Sequence, residues 1–162
     1  MLEKWGFRGD WWRNQRGEYW VLGQTVLGVV FLLLPVVPIG TLPLSLKLPL
    51  VIALGAVGLG LGIGGIWHLG QNLTPLPYPT DDSRLVTTGV YRWVRHPIYA
   101  GVIVLALAYA LWQMSLWHGI GVLLLAWFFD RKATQEEVWL TAKFPEYRTY
   151  QQTVKKLFPG IY

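Results

Sequence analysis

The sequence predicts an all-α integral membrane protein with about four transmembrane helices, the last two forming a short C-terminal helical hairpin. Of its 162 residues, 53% are hydrophobic and only 14% are charged, against roughly 25% charged in an ordinary globular chain. The charged residues leave three long gaps, at 19–46, 48–80 and 98–129. Because about 18 uncharged apolar residues can cross the hydrocarbon core of a bilayer, we treat residues 1–162 as a single membrane domain.

Residues 1–18 are predicted to be an interfacial N-terminal segment. Basic and aromatic residues alternate within it: Lys4, Trp5, Phe7, Arg8, Trp11, Trp12, Arg13 and Arg16. Basic heads and aromatic rings suit the headgroup region of a membrane, where one side of a ring is wet and the other apolar. The alternative is a disordered basic tail, although such tails rarely contain this much tryptophan.

Two spans are predicted within residues 19–69. The first runs from about Tyr19 to Val37 and is followed by prolines, and the second runs from about Leu48 to Leu69 and is rich in glycine. Small residues at four-residue spacing allow a neighbouring helix to approach closely. In the second span this ridge consists of Ala56, Gly60 and Gly64.

The uncharged stretch 98–129 is too long for one span and is predicted to form the hairpin. Its centre, residues 112–119, reads Trp-Gln-Met-Ser-Leu-Trp-His-Gly, which suits a turn at an interface. Each helix then has roughly 15 residues, which is short for a full span. After Phe129 the sequence is charged and amphipathic as far as about Phe144, which predicts a cytoplasmic amphipathic helix after the hairpin.

The basic residues predict a multi-pass protein with both termini in the cytoplasm. Of the 14 Lys and Arg residues, four precede the first span, one (Lys47) lies in the first connection, three lie in the second, none lies in the hairpin turn and six follow the last span. This alternation obeys the positive-inside rule. It also accounts for the net charge of +5, so the lipid bilayer is the expected partner and nucleic acid is not.

The segment 95–101, Arg-His-Pro-Ile-Tyr-Ala-Gly, is the first candidate for chemistry. Pro97 suits the first turn of a helix, where its missing N–H costs nothing, and this places His96 at the positive end of that helix. Such an end attracts a carboxylate or another electron-rich ligand group, and Gly101 leaves room for a ligand or a helix. The alternative is that Arg95 and His96 only mark the membrane surface.

Glu136 and Glu137 form the second candidate, about two turns beyond the last span. Adjacent helical residues point about 100° apart, so at most one glutamate faces the bundle while the other meets water or a basic group. A solvated helix face is the alternative, and the apolar neighbours Val138, Trp139 and Leu140 argue against it.

No metal site is predicted. The chain has no cysteine, which excludes disulfides, a thiolate nucleophile and cysteine-ligated metals. Its three histidines cannot supply the multi-histidine boxes of a di-iron membrane hydroxylase.

The order of the motifs resembles the isoprenylcysteine carboxyl methyltransferase and phospholipid methyltransferase superfamily, integral-membrane enzymes that use S-adenosylmethionine. The shared pattern is Leu-Val-Thr-x-Gly-x-Tyr, Arg-His-Pro-x-Tyr-x-Gly, a helical hairpin, Glu-Glu-x-x-Leu, and Tyr-x-x-Tyr before a terminal Pro. The resemblance implies that residues 70–162 form a methyltransferase-like core. Two positions depart from the pattern: Val90 replaces the usual proline, and Thr153 stands where many relatives that methylate a prenylcysteine carboxylate have arginine.

The resemblance implies a pocket for S-adenosylmethionine, closed by the hairpin and the C-terminal segment, and a lipidic or prenylated acceptor. The residues implied to bind the cofactor are Leu85, Val86, Gly89, Tyr91, His96, Tyr99, Gly101 and Glu136. The candidate catalytic residues are Arg95, Glu136 and Glu137. The missing arginine at Thr153 weakens the case for a carboxylate acceptor, because arginine grips carboxylates with two hydrogen bonds.

Two other functions stay open at this point. One is a membrane reductase with a nicotinamide cofactor such as NADPH, since sterol reductases resemble this family in their C-terminal half, although their chains are usually much longer. The other is a non-catalytic membrane subunit with the same fold.

Overall fold

The computed structural model describes residues 11–162. Within them are α1 (Glu18–Leu33), α2 (Leu44–Leu69), α3 (Pro97–Gln113), α4 (Leu116–Lys143) and α5 (Tyr147–Thr153), joined by loops and short 3₁₀ turns. Two isolated β-bridges occur in this part of the chain, but no β-strand. The described residues are therefore all-helical, as predicted.

The N-terminal segment is described only from Trp11 onward. Trp11 and Trp12 form a 3₁₀ turn with Arg13 and are 51% and 58% exposed. The backbone then turns into α1 through Gly17, whose left-handed conformation (φ 81°) favours glycine. The remaining residues of the predicted interfacial segment lie outside the described part of the chain, among them Lys4, Trp5, Phe7 and Arg8.

α2 and the turn after it, Leu44–Asn72, form the one helix among residues 11–162 that is long and apolar enough to cross a membrane. Its mean hydropathy is 2.1, and only 11% of its most apolar window is buried. Trp67 is 82% exposed. α1 and α3 are apolar but shorter, at 16 and 17 residues. α2 also begins earlier than predicted, so Lys47 lies inside the helix rather than in a connection, and Pro49 lies in the second turn of the helix rather than near its start.

α2 and α3 pack closely through glycine, but not along the predicted ridge. A Cβ atom on Gly101 would lie 2.7 Å from the Gly58 carbonyl oxygen and 2.8 Å from the Gly62 nitrogen. At Gly60, a member of the predicted ridge, a Cβ atom would meet nothing within 4 Å. The prediction of that ridge was wrong at Gly60 because the face of α2 that meets α3 follows positions 58, 62 and 65 instead.

α3 and α4 form the predicted hairpin. The turn is tighter than expected, since only Met114, in a left-handed conformation (φ 47°), and Ser115 separate the two helices. α4 then continues without a break to Lys143. The predicted cytoplasmic helix is therefore the second half of α4, because the change from apolar to charged residues after Phe129 introduces no glycine or proline that would end the helix.

Hydrogen bonds fasten both ends of the bundle. At the hairpin turn, the Ile39 N–H donates to the Met114 carbonyl at 2.9 Å and the Leu116 N–H donates to the Val37 carbonyl at 3.0 Å.

Between the two ends lies a core of apolar side chains: Phe31, Ile103, Ala106, Ala110, Val122, Leu125, Phe129 and Leu157.

At the opposite end, the loop before α3 pairs with the segment that follows α5. The Arg95 N–H donates to the Lys155 carbonyl at 2.9 Å, and the His96 N–H donates to the Lys156 carbonyl at 3.1 Å. These bonds hold the C-terminal segment beside the first turn of α3.

Candidate active site

A cavity of about 430 Å³ lies at the loop end of the bundle. Its walls come from Gln24 of α1, the end of α2, the loop 72–86, the start of α3, the second half of α4 and the α5 region. Its size falls in the range of roughly 300–1,000 Å³ that is usual for small-molecule sites. Seven of the predicted site residues line it: Leu85, Val86, Tyr91, Arg95, His96, Tyr99 and Glu136.

Three predicted site residues, Gly89, Gly101 and Glu137, lie behind the wall. Gly101 allows α2 and α3 to touch, as described above. Gly89 has a left-handed backbone (φ +60°), and a Cβ atom there would overlap the ring of His68. The two glycines therefore position the elements that carry the wall.

Glu136 presents its carboxylate to the cavity from α4. The Tyr99 hydroxyl donates to Glu136 Oε2 at 2.7 Å, and His96 Nδ1 lies 3.8 Å from the same oxygen. Within residues 11–162, no hydrogen bond reaches Glu136 Oε1. This carboxylate can therefore accept hydrogen bonds from a ligand and balance a positive charge on it.

Glu137 points about 100° away from Glu136 and holds the cavity wall together from behind. Its carboxylate accepts hydrogen bonds from Arg95 Nε at 2.8 Å and from His96 Nε2 at 3.1 Å. It also accepts from the Tyr147 hydroxyl at 3.3 Å and from Gln151 Nε2 at 3.0 Å. One buried side chain thus joins the start of α3 to α5.

The charge of Glu137 fixes how His96 is oriented. Burial alone would raise the pKa of Glu137, but the hydrogen bonds and charges of His96 and Arg95 outweigh burial and lower that pKa to about 2. An ionised carboxylate only accepts hydrogen bonds, so His96 Nε2 carries the proton of this contact. His96 Nδ1 is then the nitrogen on the side of Glu136.

Arg95 is anchored by the same network. Besides Glu137, its guanidinium donates to the Gln151 carbonyl at 3.1 Å and to the Val154 carbonyl. Its polar atoms are thus directed mainly at the C-terminal segment.

Buried tyrosines add neutral hydroxyl groups to the wall. Burial is the largest cause that raises the pKa values of Tyr91, Tyr147 and Tyr150 well above the ordinary tyrosine value. The Tyr150 hydroxyl donates to the Tyr91 carbonyl, which ties α5 to the loop before α3. These hydroxyls therefore act as hydrogen-bond donors and acceptors without charge.

Sequence reasoning missed Lys132, a second charged residue that α4 contributes to the cavity. It is 1% exposed, and its ammonium group donates to Gln24 Oε1 at 2.5 Å and to the Pro75 carbonyl at 3.2 Å. The spacing of four residues to Glu136 could have indicated a shared helix face. However, Lys132 ends a run of three charged residues after Phe129, and such a run resembles a solvated face.

A proline-rich loop, residues 73–84, covers the cavity and is held down by Lys143. The Lys143 ammonium group donates to the Asp81 carbonyl at 2.8 Å and to Ser83 Oγ at 3.0 Å, and also to the Thr80 carbonyl. Leu76 from this loop is 3% exposed and lines the cavity. The cavity is therefore polar around Glu136 and apolar under the loop.

Together, these features define an all-helical protein with an exposed apolar helix long enough to span a membrane and a ligand cavity at one end of its helices. A sequence model of the phospholipid methyltransferase family matches residues 46–147. The chain belongs to this family, whose members are membrane proteins. The superfamily resemblance drawn from the Arg-His-Pro and Glu-Glu motifs is confirmed.

Curated relatives are similar over about half of the chain. A protein-S-isoprenylcysteine O-methyltransferase of Schizosaccharomyces pombe is 39% identical over 84 residues, which are 49% of this chain and 34% of the relative. The protein of the same name from Dictyostelium discoideum is 33% identical over 100 residues, or 57% of this chain and 41% of the relative. The Homo sapiens protein of that name is 33% identical over 84 residues, or 51% of this chain and 30% of the relative.

The chain is also similar to a solved structure of a eukaryotic intramembrane Ras methyltransferase, an isoprenylcysteine carboxyl methyltransferase. The TM-score is 0.54 at 25% identity, and the match covers 91% of this chain and 54% of the other. The chain thus spans about half of that structure, and only 30–41% of the three curated relatives named above.

Proposed function

We propose that this chain is an integral-membrane methyltransferase that transfers a methyl group from S-adenosylmethionine to a lipid-borne, prenylated acceptor. The observation that carries the proposal is the Glu136 carboxylate, which Tyr99 holds at the edge of a largely apolar cavity. The family and the relatives named for isoprenylcysteine methylation support the reaction and the class of acceptor.

The residues of the cavity suit S-adenosylmethionine. The free oxygen of Glu136 offers a negative partner for a positively charged ligand, while His96 and the tyrosine hydroxyls offer further hydrogen bonds. Leu85 and Val86 offer apolar surface on which a planar ring can lie. The residues proposed to hold the cofactor are Leu85, Val86, Tyr91, His96, Tyr99 and Glu136, with Gly89 and Gly101 shaping the wall behind them.

When bound, S-adenosylmethionine supplies a methyl group whose bond to sulfur breaks, with the electron pair staying on sulfur, as an acceptor lone pair forms the new bond to carbon. Positioning and exclusion of water supply most of the acceleration of such a displacement. Glu136 contacts the ligand in this proposal. Arg95 and Glu137 act through His96 and α5, which makes them positioning residues instead of groups that touch the reacting atoms.

We also propose a multi-pass arrangement in which both termini and the cavity end of the bundle are cytoplasmic. The distribution of basic residues supports this orientation, and the exposed apolar surface of α2 supports contact with lipid. An acceptor in the bilayer could then reach the cavity while its tail stays in hydrocarbon. That path avoids moving the tail into water, which costs about 0.8 kcal/mol per CH₂.

Calorimetric titration of the detergent-purified protein with S-adenosylhomocysteine tests the proposal. The wild type should bind this compound, and Glu136→Gln should weaken binding at least about tenfold, because the variant loses the negative partner of the ligand's ammonium group. Glu146→Gln is the matched control, since Glu146 is exposed and does not line this cavity. Binding of NADPH instead would support a reductase, and binding of neither compound would support a non-catalytic subunit; both results contradict the proposal.

A further inference from the structure

Lys132 is a buried cation in the wall of the cavity that the proposed reaction does not use. It lies one helical turn before Glu136 on α4, and both side chains line the cavity. Residues four apart on a helix are neighbours on one face, at about 5–6 Å between their Cβ atoms. α4 therefore presents two charges of opposite sign side by side, with Lys132 nearer the apolar half of the helix.

The described partners of Lys132 are all neutral. They are the Gln24 amide oxygen at 2.5 Å, the Pro75 carbonyl at 3.2 Å and the ring of Tyr99, whose centroid lies 5.1 Å from the ammonium nitrogen. Within residues 11–162, no carboxylate oxygen lies within 4.0 Å of this nitrogen. A buried charge is costly unless it is paired, so the site favours a ligand that supplies a negative group.

The ammonium group keeps most of its charge at neutral pH. Burial lowers the pKa of Lys132 to about 8, and the nearby charge of Glu136 opposes part of that change. Lys156, the other buried lysine among residues 11–162, is paired with Asp130 at 2.6 Å. Lys132 differs from Lys156 in having no carboxylate oxygen within 4.0 Å in this part of the chain, so its charge can also pair with an anionic ligand group.

Lys132 lies on α4 at the border between the apolar and the charged half of that helix. Phe129, three residues earlier, ends the uncharged stretch of α4, and Gln24 lies within the apolar helix α1. Glu136, which is proposed to contact the cofactor, lies one helical turn further along α4. Thr153, where many relatives have arginine, is exposed and outside this cavity, so it supplies no cation here.

We propose that Lys132 and Gln24 form the subsite that binds the anionic headgroup of the acceptor, a carboxylate or a phosphate on a prenyl-like chain. The inference rests on the proposed function and deepens it. Lys132 holds one oxygen of the headgroup, and Gln24 orients the ammonium group from α1. The subsite selects anionic acceptors over neutral ones with the same tail.

The test measures binding to the full chain in lipid nanodiscs, with and without S-adenosylhomocysteine. One pair of probes is N-acetyl-S-farnesylcysteine and its uncharged amide; a second pair is farnesyl monophosphate and farnesol. In the wild type, the anionic member of at least one pair should bind about tenfold or more tightly than its neutral partner. The pair that shows this difference identifies the headgroup as carboxylate or phosphate.

Variants then assign the selectivity to Lys132. Lys132→Met should bring the ratio of anionic to neutral binding close to one, while Lys132→Arg should keep most of it and thereby show that charge is the cause. Lys155→Met is the matched control, because Lys155 is exposed and its side chain does not line the cavity. S-adenosylhomocysteine affinity should change less than about threefold in Lys132→Arg and Lys155→Met, which keep the charge at position 132.

Two results would overturn the subsite. One is equal binding of the charged and the neutral probes by the wild type, a result that needs no variant for its interpretation. The other is a Lys132→Met protein that keeps its anion preference but loses S-adenosylhomocysteine binding, because Lys132 would then belong to the cofactor. Absence of S-adenosylhomocysteine binding in the wild type would instead contradict the methyltransferase proposal, and the probe ratios would still be measured.

Discussion

Glu136 and Glu137 are adjacent in the chain but have different environments. Among residues 11–162, Glu136 accepts one hydrogen bond, from Tyr99, whereas Glu137 accepts four from side chains behind the wall. The separation follows from the helix, since successive side chains point about 100° apart. Substituting each glutamate should therefore affect different properties of the protein, ligand binding for Glu136 and stability for Glu137.

Glu137→Gln should lower stability in a pH-dependent way. The pKa of this carboxyl group is about 2 in the folded protein, below its ordinary value of 4.5, so the ionised form favours folding. Its contribution is complete above about pH 4.5 and is lost as the pH falls toward 2. The substitution should cost on the order of 3 kcal/mol at pH 7 and progressively less below pH 4.5.

Thermal unfolding of the detergent-solubilised variant between pH 7 and pH 3 measures this difference. Glu146→Gln is again the control, because its exposed side chain should leave the melting temperature unchanged. A Glu137→Gln protein that is destabilised equally at both ends of the pH range would show that lost packing, and not the lost charge, explains the effect.

Single residues show how far the sequence could predict the candidate site. The angle between neighbouring helical residues predicted that at most one glutamate faces the bundle, and the resemblance favoured Glu136 as the residue in the pocket. The roles of Gly101 and Lys132 needed the fold. From the sequence alone, Gly101 could make room either for a ligand or for a neighbouring helix, and only the structure shows that the neighbour is α2. The burial of Lys132 depends on Gln24 and Pro75, which are far away in the chain.

At the scale of elements, the contact between α2 and α3 leaves no room for a side chain at Gly101. A Cβ atom there would lie 2.7 Å from a backbone oxygen of α2, and a helix backbone yields less easily than a flexible side chain. Gly101→Ala should therefore destabilise the protein by about 1–3 kcal/mol, which should appear as a lower melting temperature of the detergent-purified protein.

Gly60→Ala provides the comparison for Gly101→Ala. It makes the same substitution on α2, where a Cβ atom would meet nothing within 4 Å, so the melting temperature should stay equal or rise slightly as helix propensity improves. Equal melting temperatures for the two variants would contradict the close helix contact.

Element boundaries were predicted less well than the elements themselves. Hydropathy indicated the two N-terminal helices and the hairpin. It reflects whether a helix lies in apolar or polar surroundings, and not where its backbone hydrogen bonding begins and ends. α2 therefore begins before the charged Lys47, and α4 continues past the apolar–polar border at Phe129. The pairing of the segment after α5 with the loop before α3 has no local sequence signal, because hydrogen bonds between backbone groups do not require particular side chains.

At the scale of the whole molecule, the proposed orientation predicts which surface of the membrane each loop faces. The chain has no cysteine, so single cysteines can be introduced at Asp81 in the loop over the cavity or at Trp117 beside the hairpin turn. The Asp81 side chain is 77% exposed and Trp117 is 44% exposed. With an impermeant thiol reagent, Asp81→Cys should react only after the cells are permeabilised.

Trp117→Cys should react in intact cells, because the proposed orientation places the hairpin turn at the opposite surface of the membrane. Labelling of Asp81→Cys without permeabilisation would contradict the cytoplasmic orientation of the cavity. It would leave the assignment to the family unchanged, since the sequence match does not depend on orientation.

The pairing of Arg95 and His96 with Lys155 and Lys156 has a consequence for biosynthesis. On the proposed topology, all four apolar helices are synthesised before residues 155 and 156, so the helices can insert into the membrane before the partners of the 95–96 backbone exist. Tyr147 and Gln151, which donate to Glu137, also come after these helices. On this topology, the cavity can be complete only after residue 156 has left the ribosome, when the apolar helices are already available for insertion.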